Sequence, residues 1–214
     1  MGCTAENVAQ KHGITKEDAN IFAKQSIDKY LAAQKRGFFD GEVVKMNSAE
    51  FAIDGLITRK VKLPKHAVDF CTDENVRPAD LDAMSKLPSV FARDGVQTAA
   101  NSSGIVDGAA SVVVASGDFV KTKGLKPLSR IVASATSAID PRVMGLGPVP
   151  AIKLVLEIAG LSLSDIGLIE INEAFAAQFI GCERELKLNR DICNVNGGAI
   201  ALGHPLAATG TRLS

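Results

Sequence analysis

The spacing of apolar and polar residues predicts helices and loops in the first third of the chain. Thr15–Asp18 has the order of a capping box, in which a hydroxyl and a carboxylate three positions apart satisfy each other's backbone amides. Apolar side chains at helical spacing follow over residues 21–31, and Gly37 provides a stop. The charged stretch 40–95 contains short alternating pieces, GEVVKM and LITRKVKL, and a helical pattern near 79–87. This part is therefore predicted as an α-rich, loop-rich excursion from a compact body.

Strand-like and helix-like segments alternate from about residue 96 onward. Small residues and glycines in VQTAANSSGIVDGAAS lead into a run of valines suited to a buried strand. Because strand and helix alternate, this half predicts an α/β body with a mainly parallel or mixed sheet. The predicted strands are 112–115, 128–139, 165–171 and 192–196, and the predicted helices are 118–123, 149–159, 172–186 and one that begins at Pro205.

The composition narrows the classes of function. The 214 residues are 46% apolar, which suffices for a substantial core, and Lys plus Arg equals Asp plus Glu at 24 each. The balanced charge, with one Tyr and no Trp, gives no sign of a nucleic-acid surface. No apolar run has the length of a membrane span, and the first residues lack a signal-peptide pattern. The four cysteines have no metal-site spacing, so we expect reduced thiols in an intracellular compartment.

Asn172 heads the tetrad NEAF, which follows a predicted strand and opens a predicted helix. Ligands of open α/β sheets usually bind at this carboxyl edge of the strands. One interpretation is structural, since asparagine is a good helix cap. The other is that the Asn172 amide lies beside a reacting carbonyl, directly or through a water, as part of an oxyanion site.

His204 stands between glycine and proline in NGGAIALGHPLA. With Pro205 at the first helical position, His204 would lie near the helix N-cap, where the helix dipole favours a neutral imidazole able to act as a base. Gly197, Gly198 and Gly203 would let the backbone turn tightly and admit a ligand. A structural histidine on a glycine-rich turn is the alternative. A third hypothesis pairs Cys193 with His204 as the nucleophile and base of a hydrolase.

Six segments, taken in their order along the chain, resemble the thiolase family. INEAFAAQ and NVNGGAIALGHP match its signatures, while MGCTAENVA, DENVRP, ANSSGIVDGAA and VMGLGPVPA match further segments over essentially the whole chain. The asparagine of the tetrad resembles that of the degradative branch, the 3-ketoacyl-CoA and acetoacetyl-CoA thiolases. The resemblance implies part of the layered α-β-α-β-α thiolase fold. It also implies acyl transfer, in which a 3-ketoacyl-CoA is cleaved by CoA or formed by the reverse condensation.

The resemblance also implies roles for individual residues. His204 would activate the nucleophile and help bind the thioester oxygen, and Asn172 would hold the water that completes that oxyanion site. CoA and acyl-CoA would be substrates, with no covalently bound cofactor and no metal. The implied substrate contacts are Ser103 and Ala99 at the pantetheine arm, Arg77 at the nucleotide end of CoA, and Met1, Met144 and Phe175 around the acyl or pantetheine pocket.

The sequence departs from the family pattern at both catalytic cysteines. The family's nucleophilic cysteine would precede MGCTAEN and its Cys-x-Gly motif would follow TGTR, and none of the four cysteines here matches either one. We therefore expect an internal piece of a thiolase that is inactive by itself. The alternative is a non-catalytic thiolase-like protein that binds CoA or forms oligomers.

The expected division of the chain follows the same resemblance. Residues 1–95 would form the loop domain, 96–125 the last strand and helix of the N-terminal half, and 126–214 a C-terminal half that stops after the GHP motif. A full-length family member would be a homodimer or homotetramer without a membrane span or a nucleic-acid partner. The mitochondrion is the expected compartment, with the peroxisome and the cytosol as alternatives.

Overall fold

Short helices provide most of the regular structure in the computed structural model, which describes residues 1–49 and 64–214. Two strands, β1 (Met46–Asn47) and β2 (Asp69–Phe70), pair antiparallel. The α-helices are α1 (Gly2–His12), α2 (Lys16–Lys35), α3 (Leu81–Ser85), α4 (Gly117–Lys123), α5 (Pro148–Ala159), α6 (Ala176–Leu186), α7 (Ala199–Leu202) and α8 (Thr209–Leu213). Segments of 3-10 helix lie at Phe38–Gly41, Pro141–Leu146, Leu163–Asp165 and Arg190–Ile192, and the second of them is kinked at Val143.

The capping box at the start of α2 is confirmed. The Thr15 hydroxyl accepts a hydrogen bond from the Asp18 amide at 3.1 Å, and the Asp18 carboxylate accepts one from the Thr15 amide at 3.0 Å. The helix ends at Lys35, just before the predicted stop. Two small strands and the helix α3 are confirmed in the loop-rich stretch. Of the two alternating pieces, GEVVKM contributes only Met46 to β1, and LITRKVKL falls outside the described residues.

The core lies where α1 and α2 pack against α6. Phe22 of α2 stacks on Phe179 of α6 with 4.6 Å between ring centroids, and Val8 of α1 is fully buried in the same cluster. Because α6 is buried along its first two turns, the loop that precedes it is held firmly against α1 and α2. That loop carries Asn172.

Most of the predicted strands do not form a ladder within the part of the chain that the structure describes. Residues 112–115 and 128–139 have neither helical nor strand hydrogen bonding, and Val113 is 96% exposed. The segments predicted as strands at 165–171 and 192–196 meet at a single parallel bridge, Ile169 with Cys193. The prediction of a buried strand at 112–115 is wrong, since Val113 and Val114 are largely exposed. A ladder needs a neighbouring strand for its backbone groups, and the described residues provide none for the first two segments.

Gln97 gives a test of the packing. Its side chain is fully buried, and neither amide atom has a hydrogen-bond partner among residues 1–49 and 64–214. Since an unsatisfied buried amide destabilises by about 1–3 kcal/mol, Gln97→Met, which has a similar shape, should raise the thermal midpoint. Thermal unfolding followed by circular dichroism measures the change.

The matched control is Gln178→Met, because the Gln178 carbonyl accepts a hydrogen bond from the Ala174 amide at 3.1 Å. This second substitution should lower the midpoint. A Gln97→Met protein that melts below the unsubstituted protein would show that its amide is satisfied in solution.

Candidate active site

Asn172 lies on the loop that leads into α6, four residues before the helix begins at Ala176. The predicted start at residue 172 is therefore wrong, and so is the interpretation of Asn172 as a helix cap. Phe175 occupies the cap position without a side-chain bond, and Gln178 instead satisfies the amide of Ala174. The Asn172 side chain is thus left available for another role.

His204 lies in a turn before α8, which begins at Thr209 rather than at Pro205 as predicted. The Pro205 carbonyl accepts hydrogen bonds from the amides of Ala208 and Thr209 at 2.9 and 3.0 Å, so a turn comes before the regular helix. Gly203, with φ at +94°, provides the bend, and a Cβ there would lie 2.5 Å from Val106. The His204 amide then donates to the Gly104 carbonyl at 2.7 Å.

The structure brings Asn172 and His204 together. The Asn172 Nδ2 lies 3.4 Å from the His204 Nε2, and the His204 Nδ1 lies 2.7 Å from the Thr209 Oγ1. We assign the hydroxyl proton of Thr209 to the Pro205 carbonyl, 3.1 Å away, so that Oγ1 accepts a hydrogen bond from Nδ1–H of His204. The neutral imidazole consequently carries its lone pair on Nε2, facing the Asn172 amide.

Burial lowers the pKa of His204 and keeps the imidazole neutral near pH 7. The helix-dipole argument made from the sequence is wrong, because α8 begins five residues beyond His204. The Asn172 Oδ1 is buried, with no hydrogen-bond partner among the residues that the structure describes. An unpaired acceptor beside a basic nitrogen suits a site that takes up a water or a polar group of a ligand.

Three of the residues expected to contact substrate lie around one small apolar cavity, which also contacts Ala174 and Phe175 of the loop that carries Asn172. Its volume is about 30 Å³. Ser103 adjoins it, because both its amide and its hydroxyl donate to the Ala174 carbonyl at 3.1 and 3.0 Å. The cavity is lined by Met1, Thr4, Ala5, Met144, Gly145, Ala174, Phe175 and Gln178.

Ala99 and Arg77 are not joined to that cavity by any contact among the described residues. Ala99 is exposed on the loop that leads to Ser103. Arg77 is exposed as well, next to Val76, which packs against the Tyr30 and Phe39 cluster. Both side chains are accessible to a ligand that extends beyond the cavity.

Cys193 does not serve His204 as a nucleophile, which argues against the hydrolase hypothesis. The thiol is 1% exposed and donates to the Asn189 carbonyl at 3.2 Å. Burial raises its pKa, and thus disfavours the thiolate that would react. Cys182 is also buried, with its pKa raised to about 12, while Cys3 and Cys71 are exposed.

Comparison with known proteins identifies the family. The family model described as "Thiolase, N-terminal domain" matches residues 1–118, and the model for the C-terminal domain matches residues 125–214. The chain belongs to the thiolase family. The two signatures that predicted the family, NEAF and GHP, are the segments that carry Asn172 and His204.

Known thiolases align with the chain over its whole length. It is 45% identical to the human mitochondrial 3-ketoacyl-CoA thiolase and 48% identical to an acetyl-CoA acetyltransferase of Cupriavidus necator. Each alignment covers 100% of this chain and 51% of the relative, so the chain spans about half the length of these curated relatives.

Solved thiolase structures confirm the predicted fold class. The acetyl-CoA acetyltransferase of Bacillus anthracis superposes with a TM-score of 0.90 at 40% identity, over the whole chain and 51% of that structure. The human mitochondrial 3-ketoacyl-CoA thiolase in complex with CoA gives 0.84 at 41% identity, over the whole chain and 50% of that structure. Within the described residues of this thiolase chain, no helix is long and apolar enough to cross a membrane.

The sequence analysis missed a buried hydrogen-bonded network next to Asn172 in the chain, formed by Glu173, Asn194 and Ser26. The Glu173 carboxylate is buried and accepts hydrogen bonds from both of the others. One signal was present in the sequence: Glu173 follows Ile169 and Ile171 at a spacing of two, and so shares their face of the chain. An ionisable residue on an apolar face requires buried partners.

The tautomer of His204 can be tested by Thr209→Val. The substitution preserves the shape of the side chain but removes the acceptor for Nδ1–H, so the imidazole should no longer be restricted to the Nδ1–H form. Nitrogen-15 shifts of the imidazole report the tautomer directly. Thr211→Val, on the same helix, is the control and should leave these shifts in place. Unaltered shifts in Thr209→Val would contradict the assigned hydrogen bond.

The pH dependence of His204 follows from its burial. Its pKa in the folded protein lies below the unfolded value of about 6.5, so the unfolded chain takes up this proton first as the pH falls. His204 should therefore reduce stability as the pH drops below about 6.5, until the folded pKa is passed. An NMR titration in native and in urea-unfolded protein gives both pKa values. A native pKa above the unfolded one would contradict the effect of burial.

Proposed function

We propose that this chain supplies the base and part of the oxyanion site of a thiolase-type acyltransferase. The reaction is the cleavage of a 3-ketoacyl-CoA by CoA, or the reverse condensation. Its C2–C3 bond breaks, acetyl-CoA leaves with a proton on C2, and the shortened acyl group ends on the sulfur of the incoming CoA. The observation that carries the proposal is the Asn172–His204 pair, with the lone pair of Nε2 facing the site.

His204 has the form that a general base needs. A neutral imidazole with its lone pair on Nε2 accepts the proton of a thiol nucleophile, and Thr209 holds the ring through Nδ1. Once protonated, Nε2–H is a donor for the negative charge that develops on the carbonyl oxygen. The Asn172 amide, directly or through a bound water, is the second donor.

We assign the binding of an acyl-CoA to the residues around the loop before α6. Met1, Met144 and Phe175 provide the apolar wall for the acyl group or the pantetheine arm. Ser103 and Ala99 lie along the loop proposed to contact pantetheine, and the exposed guanidinium of Arg77 is available to the nucleotide phosphates. CoA in the human relative supports this choice of substrate.

The proposal extends to the whole protein. The 3-ketoacyl-CoA thiolases of human, mouse and cattle that resemble this chain are described as mitochondrial, which supports that compartment and a role in fatty acid β-oxidation. We further propose a homodimer or homotetramer as the assembly. The proposed boundaries remain 1–95 for the loop domain, 96–125 for the end of the N-terminal half and 126–214 for the C-terminal half.

The decisive experiment measures acetyl-CoA formed from acetoacetyl-CoA and CoA by the protein as its gene encodes it. His204→Ala should lower kcat about 100-fold or more, because the base is lost. Asn172→Ala should lower it by about the same factor, because a donor to the oxyanion is lost. His66→Ala is the control, since His66 is exposed and lies outside the site, and it should retain full activity.

Three outcomes would contradict the proposal. One is an active protein that is unaffected by His204→Ala, and another is a protein that binds CoA without forming acetyl-CoA, which supports the non-catalytic alternative. The third is thiolysis by the 214 residues produced alone. We expect none from them, because the described cysteines are either buried with a raised pKa or exposed and without contact to His204.

A further inference from the structure

Glu173 is the most deeply buried carboxyl group among the described residues, at 1% exposure. It comes directly after Asn172 in the chain, yet no step of the proposed reaction uses it. Its Oε2 accepts hydrogen bonds from the Ser26 hydroxyl at 2.6 Å and from the Ile200 amide at 3.2 Å. Its Oε1 accepts one from the Asn194 Nδ2 at 2.8 Å. The carboxyl group therefore joins three separate segments of the chain.

Two of these hydrogen bonds restrain the segment that leads to His204. Ile200 lies in α7, which ends at Leu202 and passes through Gly203 into His204. Ser26 lies in α2, and its hydroxyl also accepts a hydrogen bond from the Gly198 amide at 3.0 Å. A Cβ on Gly198 would overlap the Glu173 carboxyl group, so a glycine is required for this close approach.

Two of the three partners of Glu173 can act only as donors toward it. Ile200 offers a backbone N–H. The Asn194 amide is fixed on Ile171, since its Oδ1 accepts from the Ile171 amide and its Nδ2 donates to the Ile171 carbonyl, both at 2.9 Å. A group with acceptors at both oxygens is thus needed, which a carboxylate provides and a carboxamide does not.

We propose that Glu173 is a positioning residue, whose three hydrogen bonds set the separation between Asn172, on the loop before α6, and His204, just after α7. This role in catalysis rests on the proposed function, whereas the geometric role does not. The carboxyl group restrains Asn172 through its own backbone and His204 through α7. Losing the restraint lets the GHP turn move away from Asn172 and exposes the imidazole to water.

The test is Glu173→Gln in the protein as its gene encodes it. The amide keeps the size of the side chain but sets one N–H against a donor, so the network loses at least one bond. The pKa of His204, followed by NMR in histidine-labelled protein, should rise toward its ordinary value of about 6.5 as burial is reduced. Thiolysis should lose about tenfold or more in kcat, with KM changed about twofold or less.

Two further variants separate positioning from general destabilisation. Ser26→Ala removes one donor to Glu173 together with the acceptor of the Gly198 amide, and it leaves the carboxyl group with its other two donors. It should raise the His204 pKa in the same direction by less, and it carries the test should Glu173→Gln not fold. Glu6→Gln is the control, because the Glu6 carboxylate also binds backbone amides, those of Val96 and Gln97, but touches neither catalytic segment. Glu6→Gln should lower the thermal midpoint and leave the His204 titration in place.

The outcomes distinguish the two proposals. A raised His204 pKa in a protein without thiolase activity supports the geometric role and contradicts the proposed function. An active protein in which Glu173→Gln and Ser26→Ala leave the His204 pKa and kcat unchanged overturns the positioning role. A shift of equal size in Glu6→Gln overturns it too, since the effect would then follow from lost stability alone.

Discussion

The buried carboxyl group of Glu173 is the interaction on which the geometry of the site depends. In the folded protein the carboxyl group is removed from water and accepts hydrogen bonds from Ser26, Asn194 and Ile200 instead. Because the surroundings are apolar, water cannot easily replace any of these donors. Burial raises the pKa of Glu173, while its hydrogen-bond donors act in the opposite direction. A polar group placed in this way favours one arrangement of the loops over others.

The helical core provides the rigid base for that network. Phe22 and Phe179 stack between α2 and α6, so Ser26 on one helix and the loop before the other keep a fixed relation. Lys29, one turn beyond Ser26, donates to the carbonyls of Arg190 and Cys193 at 3.1 and 2.8 Å, and thereby holds the segment that leads to Asn194. Packing and polar contacts therefore restrain the same loops.

The sequence predicted the helices well where the residues that define a helix lie close together in the chain. The hydroxyl and carboxylate of Thr15 and Asp18 cap α2, and the apolar spacing of residues 149–159 matches α5. The starts of α6 and α8 were each misplaced by four residues, because asparagine and proline are good starting residues in general. At these two sites the loop hydrogen bonds to Gln178 and Pro205 decide where the helix begins.

The predicted strands failed because their formation depends on residues far away in the chain. A run of valines such as Val112–Val114 favours a strand, but the strand forms only beside a neighbouring strand that pairs with its backbone N–H and C=O groups. That neighbour is not a property of the run itself. The same reasoning applies to Cys193. Its position eleven residues before His204 gave no information about its contacts, and burial together with the Asn189 carbonyl keeps the thiol protonated.

The sequence by itself determined the family, the two motifs and the candidate pair, because NEAF and GHP are each a short and specific run of consecutive residues. Only the tertiary structure decided how the pair works: the lone pair of His204 lies on Nε2 because Thr209 holds Nδ1, and the imidazole is neutral because it is buried. The supporting role of the Glu173 carboxyl group likewise became visible only in the tertiary structure. Its donors lie 21 to 147 positions away along the chain, and only folding brings them within hydrogen-bond distance.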